Sequence, residues 1–505
     1  MQYTNPVLRG FNPDPSICRA GDDYYLAVST FEYFPSVALC HSRDLVNWEL
    51  IGHVQTHGDS LDLSKARENG GAWAPTIREH EGVFYLTVSI ETSANHFSNL
   101  VFHAAHPAGP WSAGARVDIG GIDPSLFFED GKAYYCTNDR LDEDGEGICA
   151  GVIDPITGET LEAFRRIWSG TGGGWLEAPH IYHIGDWYYL LCAEGGTSLG
   201  HMAVIARAKS VWGPYESCPH NPILTNRNDT TKQACCCGHG DLIEDADGNW
   251  WMVHLGVRPG VLPQSQLGRE TFLTPLGWER GWPVIRDSRA RICEEGPLHA
   301  PQKPWQTFRD EFKDSQWPHG WYFVRNPDLG RYTRGDGMLR ICPASGKPDA
   351  ASFEGLVCTR QPDLDFKMRA QVEAQSLAEG VSAGLMVMVN HLFWLFFGVR
   401  RTTKGPELFV EQKADDLEVT TVQESTAPGS VTLQICGSME SYACAVLEAD
   451  GSERELCRVS ARFLSNSVTG RGFTGAMTGL YACADRDGAE AAVFRHFVLT
   501  RPDAE

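Results

Sequence analysis

Five segments of this chain share one layout: a short polar motif with Pro or Gly, a hydrophobic strand, a Gly/Asp turn, then a strand rich in Tyr or Trp. They are Asp14-PSICRAGDDYYLAVST, Trp73-APTIREHEGVFYLTVSI, Asp123-PSLFFEDGKAYYCTN, Glu177-APHIYHIGDWYYLLCAE and His239-GDLIEDADGNWWMVHL. Turn chemistry and flanking apolar runs make each a β-hairpin. Successive copies lie about 50 to 60 residues apart, close to the unit length of kelch-type blades. That leaves room for two more strands per unit, as with VALCHS from Val37 and WELIGH from Trp48 in the first. A four-stranded unit repeated five times predicts a five-bladed β-propeller, whose radial repetition leaves only short, protected edges. The competing reading is a β-sandwich with coincidental hairpins.

If the first strand of every blade lies innermost, the polar residues at the motif starts converge on one axis. Asp14, Trp73, Asp123, Glu177 and His239 would then share a pocket. Aligned on their prolines, Asp14 and Asp123 directly precede Pro, whereas Glu177 and Trp73 stand one residue earlier. With strict alternation, a one-residue shift turns a side chain to the other face. The offset therefore predicts that Glu177 enters the pocket from a different direction than the aspartates.

The repeat ends before a Pro-rich segment, residues 297–306, which predicts a linker between a propeller over 1–296 and a second domain over 307–505. Beyond it, many short strands separated by Gly, Pro, Asp and Asn turns suit a two-sheet β-sandwich or jelly roll. At 505 residues the chain is long enough for two cores. Its 52 glycines and 28 prolines, about 16% of the chain against roughly 12% in average usage, fit a turn-rich all-β fold.

The net charge of −22 argues against nucleic acid or an anionic membrane as partner and leaves neutral ligands unaffected. The apolar run from His391 to Val399 is far short of the roughly 20 residues that span a bilayer, and reads as a buried strand. The start MQYTNPVLRGFNPDPS lacks a basic stretch followed by an apolar one, so no secretory signal and a cytoplasmic location are expected. Sixteen scattered cysteines fit reduced thiols there. The run Cys235-Cys236-Cys237 near His239 raises a metal reading, but adjacent residues lack the spacing that zinc sites use, and no metal site is assigned.

Two or three carboxylates in an aromatic pocket are what glycosidic bond cleavage needs: one protonated to supply the leaving oxygen, another to act as base or nucleophile. A third between them can raise the acid's pKa by like-charge repulsion, and flat aromatic faces can stack on a sugar ring.

The chain resembles glycoside hydrolase family 43, specifically its two-domain β-xylosidases and α-L-arabinofuranosidases, over nearly its whole length. The resemblance rests on FNPDPSI at Asp14, GGAWAPTIR at Trp73, GIDPSLFFEDGK at Asp123, GGGWLEAPHIY at Glu177, GHGDLIED at His239 and LGRETFL at Arg269, with GFTGAMTGLYA from Gly472 in the second domain. It implies Asp14 as general base, Glu177 as general acid and Asp123 as the third carboxylate. It further implies that His239 holds Asp14, that Arg269 holds sugar hydroxyls, and that Phe31 and Trp73 wall the sugar site. Phe473 is the candidate lid residue by which the sandwich domain closes one side of the pocket. Taken alone, Asp14 would read as a turn aspartate, His239 as a core histidine and Trp73 as blade core.

The family inverts, so base and acid are expected roughly 6.5–9.5 Å apart to admit a water. The implied activity is release of D-xylose from the non-reducing ends of β-1,4-xylo-oligosaccharides. Main or additional activity on α-L-arabinofuranosides stays open, as does a non-catalytic, lectin-like propeller. No cofactor is expected to be required; a structural calcium and a homo-oligomer stay open. Several family β-xylosidases carry an aromatic, basic stretch after the third hairpin, where this chain has the acidic Asp139-RLDEDGEG-Gly147.

Overall fold

The computed structural model describes residues 1–55, 62–94, 96–139, 147–231, 233–349, 353–470 and 472–504. Most of the acidic stretch after the third hairpin, residues 140–146, lies outside them.

Each repeat becomes an antiparallel sheet. Blade one comprises Ser16–Ala20, Asp23–Val28, Ser36–Ser42 and Glu49–Gln55; blade two Gly71–His80, Val83–Ser93, His96–Ala104 and Ala115–Val117. Blade three comprises Ile122–Glu129, Lys132–Asp139, Gly147–Ile153 and Thr160–Trp168. Blade four runs from Glu177–Ile184 through Trp187–Glu194 and Met202–Ala208 to Glu216–Ser217, with Leu224–Thr225 also pairing on its third strand. Blade five comprises Cys235–Glu244, Trp250–Val257, Glu270–Glu279 and Trp282–Val284. The five first strands neighbour one another around the ring.

A single blade cannot bury its two apolar faces, and the ring closes because each face finds the next blade. Ile77, Leu86 and Val88 of blade two pack with Cys18, Ala27 and Leu39 of blade one. Leu126 and Tyr135 of blade three meet Tyr85 and Val101 of blade two. Cores of the same kind join blades three and four, four and five, and five and one. Burying one Leu or Ile contributes about 1.5–3 kcal/mol, so these interfaces, not the individual sheets, hold the ring together.

The blade starts share a backbone device. The residue just before the motif proline has a left-handed φ in four blades, Asp14 at 53°, Ala74 at 41°, Asp123 at 56° and Ala178 at 54°, and His239 before Gly240 matches at 47°. Strand pairing slips across this point in blades two to five. Asp and His tolerate this region better than most residues; alanine there costs about 1–2 kcal/mol. The one-residue offset now has a physical basis. Asp14, Asp123 and His239 occupy the left-handed position, whereas Trp73 and Glu177 directly precede it.

The chain divides into two compact units, Met1–Pro259 with Arg269–Lys303, and Gly260–Gly268 with Pro304–Glu505. The second is a two-sheet β-sandwich. One sheet orders Tyr332–Gly335, Met338–Ile341, Ala492–Thr500, Phe366–Glu373, Ser430–Gly437, Ser441–Leu447 and Glu453–Ser460; the other is centred on Met477–Ala484, Val381–Asn390 and Phe393–Thr402. The apolar run around Phe393 is a buried strand, as read from the sequence. Segment 260–268 groups with this unit because Gln266 accepts from the Ala476 amide at 2.7 Å and Gln264 donates to Ser467 Oγ at 3.1 Å. Among the described residues no helix is long and apolar enough to cross a membrane.

Candidate active site

Asp14 is buried at the entry to the first strand of blade one. Ser29 Oγ donates to its Oδ2 at 2.6 Å, and Arg269 Nη1 donates to its Oδ1 at 2.5 Å. Ser29 Oγ also accepts the Ala74 amide at 2.7 Å, so one hydroxyl ties Asp14 to the left-handed turn of the next blade. Arg269 Nη1 also reaches Thr197 Oγ1 at 3.3 Å, and its guanidinium carbon lies 5.2 Å from the Phe31 ring centroid. Phe31 is buried and meets the half-buried Trp73 at 5.7 Å between centroids; Trp73 packs edge-on against Phe97 at 5.1 Å.

His239 Nδ1 stands 3.7 Å from Asp14 Oδ1 and 3.9 Å from Asp123 Oδ2, placing it between the two aspartates. Burial pushes the His239 pKa down, against the pull of Asp14. The imidazole is therefore neutral at neutral pH and the contacts are not ion pairs. Ser29 and Arg269 hydrogen-bond Asp14, while His239 stands beside it at 3.7 Å.

Asp123 is held well above the ordinary aspartate range. Burial is the main cause, followed by the negative charges of Glu177 and Asp14; Arg269 and the Ala178 amide oppose it. Glu177 opens the first strand of blade four, opposite Ala193 and half-buried. Glu177, Asp14 and Arg269 thus all act on the Asp123 carboxyl. Phe473 lies in the second unit and is 36% exposed.

Two polar groupings escaped sequence reasoning. Further along the innermost strands, Asp241 Oδ2 accepts from Ser16 Oγ at 2.7 Å and Arg78 Nη1 at 2.8 Å, while Oδ1 accepts from Tyr182 OH at 2.5 Å and Arg78 Nη2 at 3.1 Å. Arg78 also meets His180 Nδ1 at 2.9 Å, and burial lowers the His180 pKa to about 3. Charged residues on otherwise apolar inner strands were the available signal. In the second grouping, fully buried Glu194 accepts from Thr171 N at 2.6 Å, Thr171 Oγ1 at 2.5 Å and Gly173 N at 3.2 Å, gripping the glycine-rich approach to Glu177.

The cysteine run occupies the start of blade five's first strand, where the Cys236 carbonyl lies 2.9 Å from His201 Nδ1. Among the described residues no three His, Cys, Asp or Glu side chains are grouped to hold a metal ion.

A five-bladed propeller whose axis gathers three acids and an arginine beside aromatic rings defines the glycoside hydrolase class. Residues 3–283 match the profile of Glycosyl hydrolases family 43, and residues 309–500 that of the Beta xylosidase C-terminal Concanavalin A-like domain. The chain belongs to glycosyl hydrolase family 43. It is 39% identical to a non-reducing end alpha-L-arabinofuranosidase of Bacteroides ovatus, over 95% of this chain and 91% of the relative. It is 35% identical to a beta-xylosidase of Bacillus subtilis over 78% of each chain. The solved GH43B of a Bacteroides ovatus xyloglucan locus superposes with a TM-score of 0.91 at 36% identity, covering 99% of this chain and 100% of that one. The GH43 protein BlXynB of Bacillus licheniformis superposes at 0.92 and 31% identity, with the same coverage. The lectin-like reading gives way to an enzyme.

Proposed function

We propose that the enzyme is an inverting exo-glycosidase that releases D-xylose from the non-reducing ends of β-1,4-xylo-oligosaccharides. The observation that carries this reading is that Glu177 and Asp14 both bear on the buried Asp123 while Arg269 pairs with Asp14. Asp14 acts as base. Its two oxygens accept one hydrogen bond each from Ser29 and Arg269, and a carboxylate offers about four lone-pair sites, so acceptor capacity remains for a water. That water gives its proton to Asp14 while its oxygen attacks the anomeric carbon; the glycosidic bond breaks, and the leaving oxygen takes the proton of Glu177. Asp123 keeps that proton available by repulsion, since like charges this close in a buried site do not all ionise. Trp73 offers the sugar an aromatic face, and Arg269 orients the base.

A second reading, α-L-arabinofuranosidase as the main activity, is favoured by the 39% identity to the Bacteroides arabinofuranosidase across nearly the full chain. The two sugars present similar hydroxyl patterns to one pocket. Turnover of aryl β-D-xyloside and aryl α-L-arabinofuranoside by the same preparation decides between them. In either case Glu177→Ala and Asp14→Ala should abolish release from an unactivated disaccharide, and only Glu177→Ala should recover on substrates whose leaving group needs no proton. Undiminished turnover in either variant would defeat the assigned roles.

A further inference from the structure

Trp175 stands two residues before Glu177 and leaves 67% of its surface in solvent, although its place is tightly built. Its own φ is +54°, a conformation a bulky side chain adopts only when its surroundings enforce it. Glu194 enforces it from below through Thr171 and Gly173, and a side chain at Gly173 would meet that carboxylate at 2.5 Å. From the side, the Gly195 amide donates to the Gly174 carbonyl at 2.7 Å. The indole lies against Gly196, where an added Cβ would meet the ring at 3.1 Å. The next residue, Thr197, touches Arg269, which holds Asp14. Trp175 therefore rims the carboxylate cluster with a ring seated on a glycine and otherwise open.

We infer that Trp175 is the stacking platform for the leaving-group sugar, on the side from which Glu177 delivers its proton. The inference rests on the glycosidase reading with Glu177 as acid: the leaving oxygen must lie at Glu177, so the residue that leaves with it passes this rim. A flat apolar ring with one face resting on a glycine and the rest open to solvent suits a pyranose face. Trp175 would thus set how well a sugar leaving group is accommodated and leave the proton transfer itself untouched.

The test compares wild type, Trp175→Ala and Trp175→Phe on pentosides with a sugar leaving group, xylobiose and arabinofuranosyl-xylobiose, and on the corresponding methyl glycosides and glycosyl fluorides, whose leaving groups fill no such site. For Trp175→Ala, kcat/KM on the sugar-leaving substrate should fall about tenfold, and that on the methyl glycoside and the fluoride by no more than about twofold, with most of the loss restored by Phe. Equal losses on xylobiose and the fluoride would show that Trp175 acts on the pentose that is released and not on its leaving group. A loss on the methyl glycoside, whose leaving group needs the proton but fills no sugar site, as large as that on xylobiose would show that it acts by positioning Glu177. Either result would overturn the platform, and so would no loss on any substrate. Wild type inert on every pentoside would overturn the glycosidase reading and the platform with it.

Discussion

Asp123 and Asp241 both lie buried on innermost strands of the same propeller, yet their carboxyls are pushed in opposite directions. Burial raises both. At Asp241 that effect is overcome by Arg78, which bonds both of its oxygens, and the carboxyl is held below the usual aspartate range. At Asp123 the strongest neighbouring charges are two further carboxylates, and Arg269, which opposes them, is bonded to Asp14 at 2.5 Å, so the carboxyl is held well above that range. Equal depth and unequal cation supply separate a strut from a reaction centre. An acid with its own guanidinium gives a fixed ion pair; an acid faced by two others gives a site that retains a proton.

The sharpest break of this comparison comes from the proton-carrying side. Glu177→Ala should lower kcat on xylobiose, or on an arabinofuranosyl disaccharide if that is the better substrate, by about a thousandfold, within the usual range for a general acid. The loss should shrink on aryl glycosides with strongly acidic leaving groups, read as a steeper dependence of kcat on leaving-group pKa in the variant than in wild type.

Breaking the balanced pair should cost stability. Asp241→Asn leaves Arg78 buried without its counter-charge, and should lose about 3–5 kcal/mol in denaturant unfolding at pH 7. Because the folded Asp241 pKa is depressed, its contribution is present above the ordinary aspartate pKa near 4 and is lost as pH falls through the folded value. The gap between wild type and variant should therefore narrow in acid.

Asp123→Asn should behave oppositely. Its raised carboxyl makes the wild-type fold lose stability as pH rises from about 4 through the folded pKa, so the variant's melting temperature should exceed that of wild type by a margin that widens over that window. Turnover should drop about tenfold, with the alkaline limb of the pH profile displaced to lower pH, since Glu177 loses the neighbouring carboxylate that keeps its proton available.

Much of this architecture was legible in the chain because each blade announces itself with its own hairpin, and because Asp14, Asp123 and Glu177 stand at corresponding starts. The offset of Glu177 was visible too, but its cause, a left-handed residue at five aligned positions, is a backbone property that residue types only hint at: Asp and His suit it, Ala74 and Ala178 do not. The partners were not legible. Arg269 and Asp14 are 255 positions apart, and Arg78 and Asp241 are 163 apart, so their pairing depends on the closed ring. Nor does anything in Gly260–Gly268 mark it as an excursion into the second unit.

The most direct test of a base and an acid acting across one water is the configuration of the first-formed sugar, followed by proton NMR during rapid hydrolysis of whichever of the two aryl pentosides the enzyme prefers. Inversion is expected: α-xylose from a β-xyloside, or β-arabinofuranose from an α-arabinofuranoside, before mutarotation mixes the anomers. Appearance of the retained anomer first would contradict the roles assigned to Asp14 and Glu177.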